Sequence, residues 1–430
     1  MNGRKVVKKL IPKNTFKKVE PYGHLAETVL HQTRQKFPAK GLKIIGVTGT
    51  NGKTTTCFMI HKMLSNAGFK VGLMTTVAYG VGEELHPQIA HMTTVSSSLL
   101  LKRLNTMKQQ GAEWIVLETT SHALAQNRTW GIDYYMAVMT NLTHEHLDYH
   151  GTFENYRNAK IKMFKLANKN KQGSQLGVIN ADDENAKYFA KPIKNTLTYG
   201  IKNGDLRAKD VNLSPSGVSY TAVIKNDTYN INCQIPGSFN VYNSLAVVAV
   251  GRELGLTKKL IEQGIGMLTG VEGRMTKVDK GQNFDVIIDF AHTPDSFEKL
   301  FKDLKPVIKG KLIVLFGSAG RRDEAKRVIQ GKLAGKYADV VVLTEEDDRD
   351  IDGNAILDQI ASGAEEAGKV KNENLFLILD RSKAIEFALK QAKANDTVLL
   401  LGKGHEKTIE RADGEHPWDE ISLTKQLLSK

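Results

Sequence analysis

The sequence predicts an α/β protein in two parts, each built on a mostly parallel sheet. Three observations carry that prediction. From Lys43 onward, short β-rich runs alternate with helical patterns, as βαβ units require. The runs "WIVLET" and "YYMAVMT" are apolar throughout rather than alternating, which fits strands buried on both faces. The alternation breaks off at 205–284 and then resumes, which divides the chain. Its 430 residues suit two or three domains.

The first part opens with "KIIGVT" as a strand and Lys53 to Ala67 as a helix. "GLMTTV" is the next strand. Ser96 to Gln110 reads as a helix with Leu99, Leu100, Leu104 and Met107 near one face. "WIVLET" and "YYMAVMT" follow as strands. Phe153 to Asn168 is a helix, and "QLGVINAD" is a strand with its exit. Asp205 to Gln234 carries the alternating "VSYTAVIKNDTYNINCQI", which predicts antiparallel strands at the edge of this domain. An apolar helix from Val241 to Leu254 and a second helix close the part. "GVEGRMTKVDKGQNF" reads as a linker. Beyond it, "DVIIDF", "KLIVLFG", "DVVVLT", "LFLILD" and "TVLLLG" are strands separated by helical runs, a Rossmann-like arrangement. The expected divisions are a basic segment 1–42, a central domain 43–272 and a C-terminal domain 273–430.

With 41% hydrophobic and 25% charged residues, the composition is that of a globular protein. No apolar run reaches the length of a membrane span, and the N-terminus lacks a signal-peptide core. Cys57 and Cys233 are too few for a disulfide framework, so a cytoplasmic setting is expected. The net charge is +13, and Met1 to Lys43 holds 11 Lys/Arg against two Asp/Glu. Such a basic arm attracts nucleic acid, anionic lipid or an anionic substrate, or is simply a solvated, partly mobile terminus. It lacks the interleaved aromatics of a base-stacking surface.

"IIGVTGTNGKTTTCFMI" places a glycine turn between a strand and a helix. Gly49 and Gly52 let the backbone approach phosphate oxygens, and Thr50, Asn51 and Thr55 complete the loop. Lys53 would set a positive charge on the β- and γ-phosphates of ATP, and Thr54 a hydroxyl on Mg²⁺. Together these mark the first part as a P-loop ATPase domain. A strict Walker A pattern requires glycine where Val47 stands. Glu118 ends "WIVLE" beside this loop, placed either to hold Mg²⁺ or to cap the next helix. His144, His146 and His150 crowd one segment, but "HEHLD" is not the zinc pattern His-Glu-x-x-His. Asp148 and His150 also suit turn and packing roles. Asn240 and Asn243 stand three apart on a helix and could read adenine or ribose. Arg274, just past the linker, would reach the γ-phosphate on domain closure.

"TGTNGKTTT" resembles the nucleotide loop of the Mur ligase family, in which the Val47 position is ordinarily not glycine. "LETTSHALAQNR", "TNLTHEHLDYHGTFENYRNAK", "PGSFNVYNSLAV", "GRM", "DFAHTPDS", "LFGSAGRRDEAKR" and "LGKGHE" follow in the order of the tripeptide-forming MurE type. The resemblance implies an ATP-dependent ligase that activates a carboxylate as an acyl phosphate and joins it to an amino acid, with two Mg²⁺ ions. It implies that His146 binds the second ion and that Lys160 is carbamylated for the same purpose. By the same resemblance, Asp289 and His292 lie near the ribose and phosphates; a buried loop histidine is the plain alternative for His292. Thr93, Thr94, Thr120, Gln126 and Arg128 match acceptor positions, with Val95 where proline is usual. Arg322, Asp347, Arg349, Gly402 and Glu406 would hold the incoming amino acid.

Two departures are visible. Only about 40 residues precede the loop strand, so the family's N-terminal UDP-binding domain is expected to be missing or reduced. The amino-acid selector Asp-Asn-Pro-Arg reads as part of "TEEDDRD", with Arg349 in register. That favours a cationic amino acid, or a diamino diacid held by Arg349; a solvated acidic loop is the alternative. The expected substrates are ATP, a diamino acid such as lysine or diaminopimelate, and a UDP-MurNAc-dipeptide-like acceptor, with a monomeric chain. The other readings are a Mur-like ligase acting on a non-UDP peptide or polyglutamate, and a P-loop ATPase that binds nucleic acid through the basic arm.

Overall fold

The computed structural model describes residues 13–88, 92–214 and 217–429. The first twelve residues of the basic arm and the Asp148 side chain lie outside that description.

Two sheets organise the chain. The first has eleven strands: β1 Lys43–Thr48, β2 Val71–Met74, β3 Ala78–Val81, β4 Glu84–Pro87, β5 Trp114–Glu118, β6 Tyr134–Met139, β7 Leu176–Asn180, β8 Asn195–Gly200, β9 Leu206–Ser214, β10 Gly217–Ile224 and β11 Asp227–Cys233. Their order is β11-β10-β9-β8-β7-β6-β1-β5-β2-β3-β4. The run from β2 to β9 is parallel, and antiparallel strands finish both edges. The expected antiparallel edge is therefore β9 to β11; the hairpin β3–β4 at the other edge had no clear signal. β1 is fully buried past Lys43, with Ile45 and Val47 packed on one face and Ile44 on the other. Helices Lys53–Asn66, Phe239–Glu253 and Lys258–Gly266 cover the first face; Ser97–Gln109 and Phe153–Lys169 cover the second.

Strand order reverses at β1, because the chain passes from β5 on one side to β6 on the other. Val47 pairs with both Glu118 and Val138, so the ends of β1, β5 and β6 come out level. A crevice at such a reversal is where open α/β sheets bind ligands.

The second sheet runs β12-β13-β17-β14-β15-β16, with β12 Thr276–Lys277, β13 Asp285–Asp289, β14 Leu312–Phe316, β15 Val340–Leu343, β16 Leu375–Leu377 and β17 Thr397–Leu401. All neighbours are parallel except the short edge strand β12. A separate hairpin, β18 Thr408–Arg411 and β19 Gly414–Pro417, lies beyond it. The predicted linker is thus not a free tether: β12 sits within it, and Val271 bridges Arg274.

The N-terminal part also departs from the picture of a solvated terminus. Lys13–Arg34 is a helix, and Thr28 and Gln32 on it are fully buried. Gln32 Nε2 donates to Trp130 O at 2.8 Å, and Asn127 Nδ2 donates to Pro21 O at 3.1 Å. Polar contacts hold it, so no apolar stripe marked it in the sequence. Among the described residues no helix is long and apolar enough to cross a membrane.

Candidate active site

The loop after β1 is fixed by close packing. Gly49 has φ 154° and Gly52 has φ 80°. A Cβ on Gly49 would fall 1.9 Å from Thr140 Oγ1, and one on Gly52 would fall 2.2 Å from Asn243 Oδ1. Both positions therefore exclude a side chain. Thr50 N donates to Asn141 O and Asn51 N to Asn141 Oδ1, each at 2.9 Å. Helix Lys53–Asn66 starts at Gly52 with no side-chain cap, so its first-turn N–H groups remain for an anion. Lys53 Nζ donates to Thr50 O at 2.6 Å, and Thr55 lies in the same first turn.

Glu118 is 2% exposed at the end of β5. Its carboxylate accepts from Thr54 Oγ1 at 3.0 and 3.1 Å and from Thr76 N and Oγ1 at 2.9 and 3.0 Å. It does not cap the following helix, which Thr120 caps by accepting from Ala123 N. Among the described residues no three His, Cys, Asp or Glu side chains form a ready cage for a metal. The hydroxyl of Thr54 and the carboxylate of Glu118 are hard oxygen donors side by side. They suit Mg²⁺, which takes few protein ligands and fills its octahedron with water and phosphate oxygens.

Two groups beside the loop had no signal in the residue patterns. Glu145 is largely buried and touches His292 Nε2 at 3.2 Å and His146 Nε2 at 3.6 Å. Burial would raise its pKa, but His146, His292 and Lys53 outweigh burial and hold it well below the carboxylate range. His122 meets His146 edge-on, with ring centroids 4.6 Å apart. Burial, then His146 and His150, pull its pKa down to about 2, so it is neutral. His146 has φ 56° and heads the short helix Leu147–His150. His144 instead stacks on Phe153, and His150 meets Ser121 Oγ at 3.0 Å.

Lys160 is not the surface lysine that its composition suggests. It is 2% exposed, on the same helix face as Tyr156 and Phe164, and its Nζ donates to Gly49 O at 2.6 Å. Burial, then Lys53, hold its pKa well below the ordinary lysine value. A buried amine kept toward the neutral form fits a nitrogen that adds CO₂.

Residues past the linker close over this loop. Arg274 Nη2 lies 3.4 Å from Thr54 Oγ1, so Arg274 already reaches the loop in this conformation. Asn51 Nδ2 donates to Asp295 Oδ2 at 2.9 Å. Asp289 accepts from Met275 N and Ala291 N, both at 2.7 Å, and so fixes the turns on either side of it. His292 is half-buried with Nδ1 2.9 Å from Phe290 O, not the fully buried loop histidine of the plain alternative. Asn240 and Asn243 are buried; Asn243 Nδ2 donates to Asn240 Oδ1 at 2.8 Å, and Asn243 Oδ1 accepts from Thr56 at 3.3 Å. Their amides hold the start of the loop helix, and both residues also line the cavity beside the loop.

On the other wall, Thr93, Thr120, Gln126 and Arg128 line the cavity. Thr94 does not. It is 2% exposed and turned inward, donating to Glu118 O and accepting from Thr120 N at 3.0 Å each. Arg128 donates to Thr94 O and, at 3.3 Å, to Val95 O; burial pulls its pKa down to about 10.

At the far end, Arg322 and Glu406 line the cavity, whereas Asp347, Arg349 and Gly402 do not. Buried Lys403 joins Glu406 at 2.6 Å to Asp347 at 2.8 Å. Arg349 Nε donates to Glu410 Oε2 at 2.7 Å, and its Nη1 to Gly320 O. The acidic run is therefore not a solvated loop: Glu345, Glu346 and Asp348 are all buried.

One cavity of about 480 Å³ joins these parts, from Thr93 through the loop to Arg322 and Glu406. A larger cleft of about 1080 Å³ around Lys277 and Asp303 contains none of the candidate site residues named from the sequence.

Residues 47–251 match the Mur ligase middle domain and residues 273–404 the Mur ligase, glutamate ligase domain. The chain is 39% identical over 405 residues to a UDP-N-acetylmuramyl-tripeptide synthetase of Roseiflexus sp. (strain RS-1), covering 91% of this chain and 80% of that protein. It is 37% identical to a UDP-N-acetylmuramoyl-L-alanyl-D-glutamate--2,6-diaminopimelate ligase of Clostridium botulinum, covering 91% and 79%. A solved structure of a ligase of that same name superposes with a TM-score of 0.62 at 31% identity, covering 91% of this chain and 79% of that one. The Mycobacterium tuberculosis folylpolyglutamate synthase complexed with ADP and AMPPCP shares the fold, with a TM-score of 0.71 at 15% identity over 88% of this chain and 92% of that one. The chain belongs to the Mur ligase family, the ATP-dependent, ADP-forming amide ligases that use Mg²⁺.

Proposed function

We propose that this ligase acts in the cytoplasm in peptidoglycan precursor synthesis. It joins a diamino acid such as lysine or diaminopimelate to a UDP-N-acetylmuramoyl-dipeptide-like acceptor. One observation carries the reading: Thr54, Glu118 and Arg274 meet at the phosphate loop, in a cavity continuous with both the Arg128 wall and the Arg322–Glu406 end. The domain divisions 1–42, 43–272 and 273–430 go with it.

In this reading the acceptor carboxylate, lodged against Thr93, Thr120, Gln126 and Arg128, attacks the γ-phosphorus of ATP. ADP leaves and an acyl phosphate forms; the amine of the amino acid then attacks the acyl carbon and inorganic phosphate leaves. Lys53 and the uncapped helix bind the phosphates, and Arg274 approaches from the second domain. Thr54 and Glu118 would hold one Mg²⁺; His146 and Lys160, carbamylated, would hold a second beside Glu145. Bound magnesium supplies positive charge against the phosphoryl oxygens. Arg322 and Glu406 receive the amino acid. Closure by Asn51–Asp295 and His292–Glu145 keeps water from the acyl phosphate.

Hydroxylamine tests this directly. With ATP, Mg²⁺ and a UDP-linked dipeptide it should trap the acyl phosphate as a hydroxamate. Trapping with a free peptide alone would refute the UDP-linked acceptor, and no trapping with either would refute the mechanism.

A further inference from the structure

Arg274 reaches the phosphate loop from beyond the linker, yet no carboxylate holds it. Among the described residues its guanidinium makes one hydrogen bond, Nη2 to Thr54 Oγ1 at 3.4 Å, and no ion pair. The carboxylates that act on it, Asp289, Glu118 and Glu406, are engaged elsewhere. Asp289 accepts from Met275 N and Ala291 N, Glu118 from Thr54 and Thr76, and Glu406 pairs with Lys403. What does hold the guanidinium is a ring. Its central carbon lies 4.5 Å from the centroid of Phe290, and both residues line the cavity.

The ring is itself fixed by its neighbours. Phe290 N donates to Gly273 O at 2.9 Å, which ties its backbone to the residue before Arg274. His292 meets the ring edge-on with centroids 4.8 Å apart, and His405 lies tilted against it at 5.1 Å. A Cβ on Gly404 would fall 2.8 Å from Phe290 Cβ, so the turn before His405 closes on the same side chain. Burial, then Arg274, hold the pKa of His405 well below the ordinary histidine value, so His405 sets no like charge beside the guanidinium.

An aromatic face holds a cation differently from a carboxylate. It attracts the charge through the ring quadrupole and brings no opposite charge to cancel it. A guanidinium seated in this way keeps its charge, and most of its N–H donors, for phosphoryl oxygens. We infer that Phe290 is a positioning residue that seats Arg274 for phosphoryl transfer without neutralising it. The inference rests on the proposed role of Arg274 and adds the group that aims it. Lys53 and the loop helix lie on the other side of the linker and bind the phosphates whether or not Arg274 is aimed. Loss of the seat should therefore appear in kcat rather than in the KM for ATP.

The test is a mutant cycle on Phe290 and Arg274, read as hydroxamate formation with ATP, Mg²⁺ and the UDP-linked dipeptide. Phe290→Leu keeps apolar bulk and removes the ring. It should lower kcat about three- to thirtyfold, the span of a cation–π contact, with the KM for ATP within about twofold of wild type. Phe290→Tyr keeps the ring and should hold kcat within about twofold of wild type. In the Arg274→Ala background nothing remains to be seated, so adding Phe290→Leu should cost less than about twofold. Equal losses in both backgrounds would mark packing alone and overturn the inference. So would wild-type kcat in Phe290→Leu, or a loss in Phe290→Tyr as large as in Phe290→Leu. Wild-type kcat in Arg274→Ala would instead refute the proposed role of Arg274, and the inference with it. If Phe290→Leu does not fold, as judged by its melting curve, Phe290→Met takes its place in the same cycle.

Discussion

The two ends of the cleft treat charge in opposite ways. At the phosphate loop, Lys53 and Lys160 each donate to a backbone carbonyl, and Glu118 accepts from two hydroxyls and one N–H. Dipoles satisfy these groups, and among the described residues no direct ion pair cancels them. At the amino-acid end, carboxylates answer the cations directly: Arg381 with Glu420, Lys403 with Asp347 and Glu406, Arg349 with Glu410. The difference reflects what each end must receive. A polyphosphate with magnesium brings large opposite charges of its own, so the protein keeps its charges available and fixed by dipoles. In the proposed reading an amino acid brings small charges at set positions, so the pairs build shape and Arg322, exposed on the cavity wall, is the group left to meet it.

The comparison breaks most severely where the paired end is unpaired. Arg381 and Glu420 are both essentially unexposed, and the guanidinium meets both carboxylate oxygens, at 2.6 and 2.8 Å. Glu420→Gln leaves a buried guanidinium without its counter-charge. The expected loss is about 3–5 kcal/mol of stability, seen as a lower urea midpoint. A loss under about 1 kcal/mol would mean that Glu345 O and Leu401 O suffice for Arg381.

At the open end the same kind of deletion should spare the fold and remove the chemistry. Lys53 has only the Thr50 carbonyl to lose, so Lys53→Ala should melt close to wild type. Phosphoryl transfer should fall by about 10²–10³-fold, as when one preorganised donor is removed from a developing charge. ADP release with saturating substrates measures the rate, and calorimetry the melting. Near-wild-type turnover would remove the phosphate loop from the reaction.

The two ends also differed in how far they could be read in advance. Strands β1, β5, β6 and the parallel strands β13 to β17 of the second sheet were legible because buried parallel strands are continuous apolar runs. The loop was legible because Gly49 and Gly52 answer to backbone constraints that only glycine meets. Lys160 was singled out only through the resemblance, since composition alone gives no reason to bury a lysine. Its i, i+4, i+8 spacing with Tyr156 and Phe164 placed it on the buried face, and that periodicity was the available signal. The N-terminal helix, β3–β4 and the hairpin β18–β19 were not legible. Polar contacts or short edge pairings hold them, and neither leaves a hydrophobic period. The inward turn of Thr94 and the pairing of Arg349 with Glu410 could not be read at all, since each joins segments distant in sequence.

The smallest expected effect sharpens the comparison within the paired end, because not every carboxylate there is matched. Asp348 is 9% exposed and, among the described residues, its carboxylate accepts only from Glu346 N, at 3.4 Å. Burial, with Glu345, Glu346 and Asp347 close by, pushes its pKa from 3.8 up to about 6. Between those values the folded chain holds a proton that the unfolded chain has released. The contribution of Asp348 is therefore most favourable below pH 3.8 and is lost as pH rises through about 6. Asp348→Asn removes the buried charge and retains an acceptor for Glu346 N. It should stabilise the protein by about 1–2 kcal/mol at neutral pH, somewhat less than the full linkage value, with the gain disappearing in acid. Asp347, whose pKa is lowered because Lys403 and Glu410 N outweigh its burial, should show the opposite sign: Asp347→Asn costs stability at neutral pH and less as pH falls. Urea unfolding of both variants across that range measures the two slopes. Equal signs would show that the acidic run acts as one screened surface rather than as one matched and one unmatched carboxylate.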